Sequence, residues 1–116
     1  MTEFINLTPH AINIVGSDEK IVKTIEPSGR IARVKVESKI VGQVNGINIV
    51  KSTFGNVEGI TREEIVDSQN TAFIVSRMVK ERINQEWKYN NFMVVIPDDI
   101  VRDKDGKIIG CRRFSI

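Results

Sequence analysis

The sequence predicts an α+β domain: mostly antiparallel β-sheet in the N-terminal two thirds, one main helix (about 76–86) and a C-terminal β-hairpin. Three observations carry that prediction. Short runs rich in Ile and Val recur through the first half, separated by Gly, Pro, Ser, Asp and Asn. Two of the separators, Asn45-Gly46 and Asp103-Lys104-Asp105-Gly106, are turn sequences with strand-like flanks. One sustained stretch, from Ser76, switches to helical periodicity. No repeat or linker divides the 116 residues, so a single domain spanning 1–116 is expected.

Phe4-Ile5-Asn6-Leu7 reads as a short strand stopped by Thr8-Pro9, and Ala11 to Val15 as a second with Ile12 and Ile14 on one face. Gly16 to Glu19 is turn material, Ile21 to Ile25 a third strand, and Pro27-Ser28-Gly29 another turn. Ile31, Arg33 and Lys35 alternate with Ala32, Val34 and Val36, the period of a half-buried strand. Val41 to Val44 and Ile47 to Val50 flank Asn45-Gly46, a pair that tolerates the positive φ angles of a type I′ turn. Gly55 and Gly59 predict a weakened or bent strand. Thr61 is placed to cap a short acidic turn containing Glu63 and Glu64. Thr71 to Val75 reads as a strand, and Val75, Met78, Val79, Arg82 and Ile83 then fall on one helical face. Phe92 to Ile96 is a continuous apolar run suited to a buried strand, and Pro97-Asp98-Asp99 is expected to turn the chain. Ile100-Val101-Arg102 and Ile108 to Cys111 complete the final hairpin.

With 41% hydrophobic and 28% charged residues, the composition is that of a folded domain. A net charge of +2 falls short of the basic stripe that a DNA or RNA polymer requires, but leaves room for a small anionic ligand. The single cysteine excludes an internal disulfide and suits a reducing compartment. The start lacks the basic and apolar regions of a signal peptide, and no apolar run reaches the roughly 20 residues needed to span a bilayer. A cytoplasmic protein without membrane contact is expected.

Reactive chemistry is sparse. His10 is the only histidine, so neither a metal site nor a metal cofactor is expected. Cys111 sits in an apolar strand and reads as a small core residue. Glu63-Glu64 and Asp98-Asp99 are adjacent pairs whose side chains diverge, and no Gly-rich phosphate loop is present. The positive features are arginines and aromatics. Arg102, Arg112 and Arg113 cluster about the final hairpin, where a planar guanidinium matches a phosphate. Arg112 and Arg113 face opposite sides of a strand, so one at most shares a pocket with Arg102. Phe73, Trp87, Tyr89, Phe92 and Phe114 can stack on a purine or fill the core. In the segment Trp87 to Asn91, Asn90 and Asn91 can read base edges or stabilise a turn.

Several blocks carry a resemblance: Phe4 to Ile12, Ile25-Glu26-Pro27-Ser28-Gly29 with Ile31 to Val34, Thr53 to Gly59, Phe73 to Ser76, and Val101 to Gly110. In this order, over nearly the whole chain, they resemble the Thoeris anti-defence proteins of the first-described type, a family of small phage proteins. The resemblance implies a sponge: a protein that binds a cyclic ADP-ribose isomer made from NAD by a bacterial TIR-domain enzyme, holds it without degrading it, and so blocks activation of the Thoeris effector in the host cytoplasm. It implies a homo-oligomer, a dimer or a hexamer built from dimers, with pockets shared between copies. In some members cyclic di- or trinucleotides occupy separate sites. Carried over with the resemblance, Phe73, Arg102 and Asp103 within these blocks and Arg112 just beyond the last suit an adenine, a pyrophosphate and ribose hydroxyls. Thr8 and His10, with Asn6, lie in the most recognisable block, as ligand contacts or as structure. Asn91 joins the candidate ligand-binding residues from the loop reading. The stretch Thr61 to Asn70 is acidic where relatives carry a Pro-rich connection.

A protein that only holds its ligand needs no nucleophile, general base or cofactor, and no enzyme is expected. Two alternatives remain: a degradative enzyme using His10 with Asp98 or Asp103, and a small structural or assembly protein of a virion. A basic-patch nucleic-acid binder ranks behind both.

Overall fold

The computed structural model describes residues 3–68, 70–87 and 93–116. In chain order the elements are β1 (Glu3–Asn6), β2 (Ile12–Val15), β3 (Ile21–Ile25), β4 (Arg33–Val44), β5 (Ile47–Glu58), α1 (Arg62–Asp67), β6 (Thr71–Ile74), α2 (Arg77–Glu86), β7 (Val94–Arg102) and β8 (Ile108–Ser115). The α+β class, the main helix and the C-terminal hairpin agree with the sequence.

The main sheet, however, is mixed rather than mostly antiparallel. Its order is β1-β6-β7-β8-β2-β3. The β1/β6, β6/β7 and β2/β8 pairs run parallel, and only β7/β8 and β2/β3 run antiparallel. Parallel neighbours need a crossover, and α2 supplies it between β6 and β7. The β1/β6 pair joins Glu3 to Thr71 and Asn6 to Ile74, partners too distant in sequence for any turn signal to announce.

Both helices start on hydroxyl caps. Thr61 accepts from the Glu64 N–H and Ser76 from the Val79 N–H, each satisfying a donor that the first turn leaves open. Ile65 of α1 and Val79 and Ile83 of α2 then pack on Leu7, Phe73, Val75, Val94 and Ile96, the main core on one face of the sheet. Burying each large apolar side chain stabilises the fold by about 1.5–3 kcal/mol. A smaller cluster of Ile25, Ile74 and Val95, flanked by Ile12, Ile14 and Phe114, covers the other face. Phe4 closes its edge, its ring 5.1 Å from that of Phe114.

Pro97-Asp98-Asp99 does not turn the chain as expected. The strand β7 runs through it, because pairing to β8 continues on both sides, Asp98 with Arg113 and Ile100 with Cys111. Asp99 absorbs the local distortion with a φ of 53°. Two glycines are required by close approach. At Gly59, where φ is 91°, an added Cβ would strike the Ile31 carbonyl; at Gly110 it would strike the carbonyl of Asn13 on β2.

The hairpin β4/β5 forms a separate two-stranded sheet. Asn45 and Gly46 take φ angles of 50° and 77°, as a type I′ turn demands. The strands extend well beyond the expected eight residues, and at 12 residues each they reach roughly 40 Å. This arm stretches the molecule to 51 × 42 × 23 Å with a radius of gyration of 16.9 Å, against about 13 Å for a compact chain of this length. Only Val34 and Val57 at its base pack on the main core. A register shift between Val34 and Val36, opposite Gly55, bends the arm where it leaves the body.

Candidate functional site

The most recognisable block of the sequence forms a closed polar knot. Asn6 is 1% exposed, yet every side-chain atom able to bond does so. Its Nδ2 donates to the carbonyls of His10 (2.8 Å) and Ile25 (3.2 Å). Its Oδ1 accepts from the Thr8 N–H (2.9 Å) and the Thr8 hydroxyl (2.6 Å). The side chain of Asn6 thus fixes the Thr8-Pro9-His10 bend against the end of β3. Thr8 is committed to this bend, while the His10 side chain is exposed.

Arg102 and Asp103 tie the final hairpin. Arg102 donates to the Gly106 carbonyl at 2.8 Å, and Asp103 accepts from the Asp105 and Lys107 N–H groups, each at 2.9 Å. Arg112 is half-buried. It donates to the Gly16 carbonyl at 2.7 Å and lies 4.0 Å from Glu19 and 3.9 Å from Asp99. Both carboxylates stand on left-handed backbone, with φ 64° at Glu19 and 53° at Asp99, so two loops converge on one guanidinium. Arg113, on the opposite side of β8, bonds Asp98 at 2.7 Å. That bond holds the Asp98 carboxyl below the ordinary carboxylate range and raises the Arg113 guanidinium. Phe73 is 4% exposed and belongs to the same buried cluster as Leu7 and Ile83, so its ring does not face open space. Asn91 lies outside the described residues, as do Lys88, Tyr89, Asn90 and Phe92. Trp87 is half-buried against the core.

The structure therefore joins Thr8 to the backbone of His10, and Arg102 to the turn of Asp103, but leaves Phe73 and Arg112 in their own surroundings. It also reveals a cleft that sequence reasoning missed. Between the arm base and α2 lies a cavity of about 330 Å³ lined by Val34, Phe54, Arg77, Met78, Glu81, Arg82 and Gln85. Phe54 and Met78 are 50% and 49% exposed, although the helical periodicity had placed Met78 on the buried face. Arg82 is bolted in place: its Nε donates to the Gly55 carbonyl at 3.0 Å and pairs with Glu86 at 3.8 Å, and Glu86 accepts from the Val57 N–H at 3.3 Å. Arg77 makes no hydrogen bond or ion pair within the described residues and acts on Asp98 only through space. The signal that could have found this cleft is the alternation that puts Val34, Val36 and Phe54 on one face of the arm, leading directly off the core.

Burial pushes the Cys111 thiol up, away from its reactive thiolate form. Among the described residues no group of three or more His, Cys, Asp or Glu side chains is placed to hold a metal ion. No described helix is long and apolar enough to cross a membrane. Compared with models of known families, with curated proteins and with solved structures, the chain matches none.

Proposed function

We propose that this is a phage anti-defence protein that binds and sequesters a cyclic ADP-ribose isomer made by a bacterial TIR-domain enzyme. It acts in the host cytoplasm without degrading the messenger, and so prevents activation of the Thoeris effector. It works as a homo-oligomer, a dimer or a hexamer built from dimers, with each pocket shared between copies; cyclic di- or trinucleotides at separate sites belong to the same reading. The ligand's identity rests on the sequence resemblance.

The observation that supports capture between copies is the arm. Val36, Ile40, Val41, Val44, Ile47, Ile49 and Val50 are each 46–68% exposed. They occupy both faces. Val36, Ile40 and Val50 lie on one, while Val44, Ile47 and Ile49 lie with Lys39 and Lys51 on the other. A second copy laid along the arm would cover these side chains, as the apolar core of an interface of roughly 800 Å² per partner does. Small-molecule sites range over about 300–1,000 Å³, so the arm-base cleft of about 330 Å³ lies near the lower limit, and a second copy supplies further wall.

The test is retention followed by release. The protein is incubated with a cyclic ADP-ribose isomer, freed of unbound ligand, and heat-denatured. Near-stoichiometric recovery of the intact messenger by mass spectrometry is expected. Conversion to linear ADP-ribose at catalytic protein concentration overturns the reading in favour of an enzyme, and absence of retained ligand overturns it outright.

A further inference from the structure

We infer that the cleft between the arm base and α2 is the seat of a purine nucleotide, with the ring of Phe54 stacking on the base and the guanidinium of Arg77 pairing with a phosphate. The inference rests on the proposed function for the choice of ligand, and on the geometry for the place.

Four kinds of side chain meet in the cleft, and together they match the parts of a nucleoside phosphate. Phe54 presents a half-exposed ring, although it stands next to Val34, which reaches the core. A flat apolar face left open beside a packed core suits a base, which stacks by its π-face whatever its edge. Met78, also half-exposed, offers a polarisable thioether across the same space. Arg77 brings a planar fork of donors that no described residue engages. Glu81 adds a carboxylate acceptor for ribose hydroxyls, and Gln85, whose Oε1 accepts from Arg82 at 3.5 Å, keeps its amide N–H groups for a base edge. Arg82 contributes rigidity rather than a free charge, since the Gly55 carbonyl and Glu86 already occupy it. Its role is to fix α2 against the arm, so that the walls of the cleft are in place before a ligand arrives and little ordering opposes binding.

The site has a built-in reporter. The chain holds three methionines, Met1, Met78 and Met93. With 13C-labelled methyl groups and Met78→Leu to assign the signal, the intact assembled protein is titrated with a cyclic ADP-ribose isomer and, in parallel, with linear ADP-ribose. The Met78 methyl resonance is expected to shift saturably. Phe54→Ala and Arg77→Gln are expected each to weaken binding about tenfold or more, and Phe54→Trp to retain it, with oligomer mass and circular dichroism unchanged. Ligand retention with an unmoved Met78 signal and wild-type affinity in both variants places the seat elsewhere, sinking this inference while the sequestering function stands. A changed oligomer mass in Phe54→Ala assigns that ring to a second copy and likewise overturns the seat. If neither ligand is retained and no shift occurs, the seat and the function fall together.

Discussion

The sheet body and the β4/β5 arm are written in the same Ile and Val vocabulary, yet they end in opposite surroundings. In the body Ile74, Ile83 and Val94 are wholly buried; in the arm Val44 and Ile47 are 60% and 68% exposed. The difference lies in what stands opposite each strand. The body strands have helices on one face and a second apolar cluster on the other. The arm has two strands and no third layer, an arrangement that is marginal in water by itself. Its cross-strand pairs make the point sharper: Lys39 stands directly opposite Lys51, a like-charge pair that disfavours the isolated hairpin. Apolar content thus says how much surface must be covered, while topology says whether the same chain can cover it.

The largest expected effect breaks the comparison at the arm. Ile40 and Val50 are cross-strand partners on one face. Replacing both with Glu places charges where the proposed assembly buries apolar surface. Light scattering should report the mass of a single chain, with the far-ultraviolet dichroism of the body retained. An unchanged mass would show that the arm is not what holds copies together.

Within one chain, matched substitutions weigh the two regions directly. Ile74→Ala removes a side chain with 0% exposure and should lower unfolding free energy by about 2–5 kcal/mol. Ile47→Ala, in protein already dissociated by the arm substitutions, should cost no more than about 0.5 kcal/mol. Urea titration of the two variants decides this. Similar losses would mean that the tip of the arm folds back on its own body in solution.

The contrast also separates what was legible in the sequence from what was not. Local chemistry could be read. Asn45-Gly46 named its turn, Ser76 and Thr61 their caps, and Asp103 to Gly106 the last hairpin, because each depends on residues within a few positions. The parallel pairs could not, since Glu3 and Thr71 share no local signal. Pro97-Asp98-Asp99 misled for the same reason: its turn chemistry is outweighed by pairing with β8, which no neighbouring residue reveals. At the candidate site, alternation in the arm was visible, but not that Phe54 would face α2. The knot around Asn6 shows the converse hazard, since a distinctive block of sequence is accounted for by backbone geometry.

That knot gives the next prediction. Asn6→Ala strips the acceptor from the Thr8 N–H and the amide donor from the Ile25 carbonyl, while the His10 carbonyl keeps the Thr8 hydroxyl at 3.0 Å. Each group left buried without a partner costs about 1–3 kcal/mol, and water reaching the exposed side of the bend relieves part of that, so a total loss of about 1–3 kcal/mol is expected. Asn6→Asp discriminates further: it keeps the acceptor for Thr8 but cannot donate to either carbonyl while ionised, so it should recover little of the loss. If both variants melt as wild type does, the bend is held by Pro9 and the sheet alone.

The smallest effect concerns the ion pair that links β7 to β8 in the body. Arg113, and more weakly Arg77, lower the Asp98 carboxyl from its ordinary 3.8. A carboxylate depressed in the folded state adds stability that is fully present above its unfolded value and disappears as pH falls through the folded one. The difference in urea midpoint between wild type and Asp98→Asn should therefore be constant from neutrality down to about pH 5. It should then shrink as the medium becomes more acidic than the ordinary carboxylate range. Because Arg113 is well exposed, at 69% of its side chain, the increment is expected to be small and to fall with added salt. A difference that stays flat into strong acid would mean that the 2.7 Å contact contributes nothing in solution. Pairing of β7 with β8 past the distorted Asp99 would then rest on the backbone ladder and the buried Val101 and Cys111 alone.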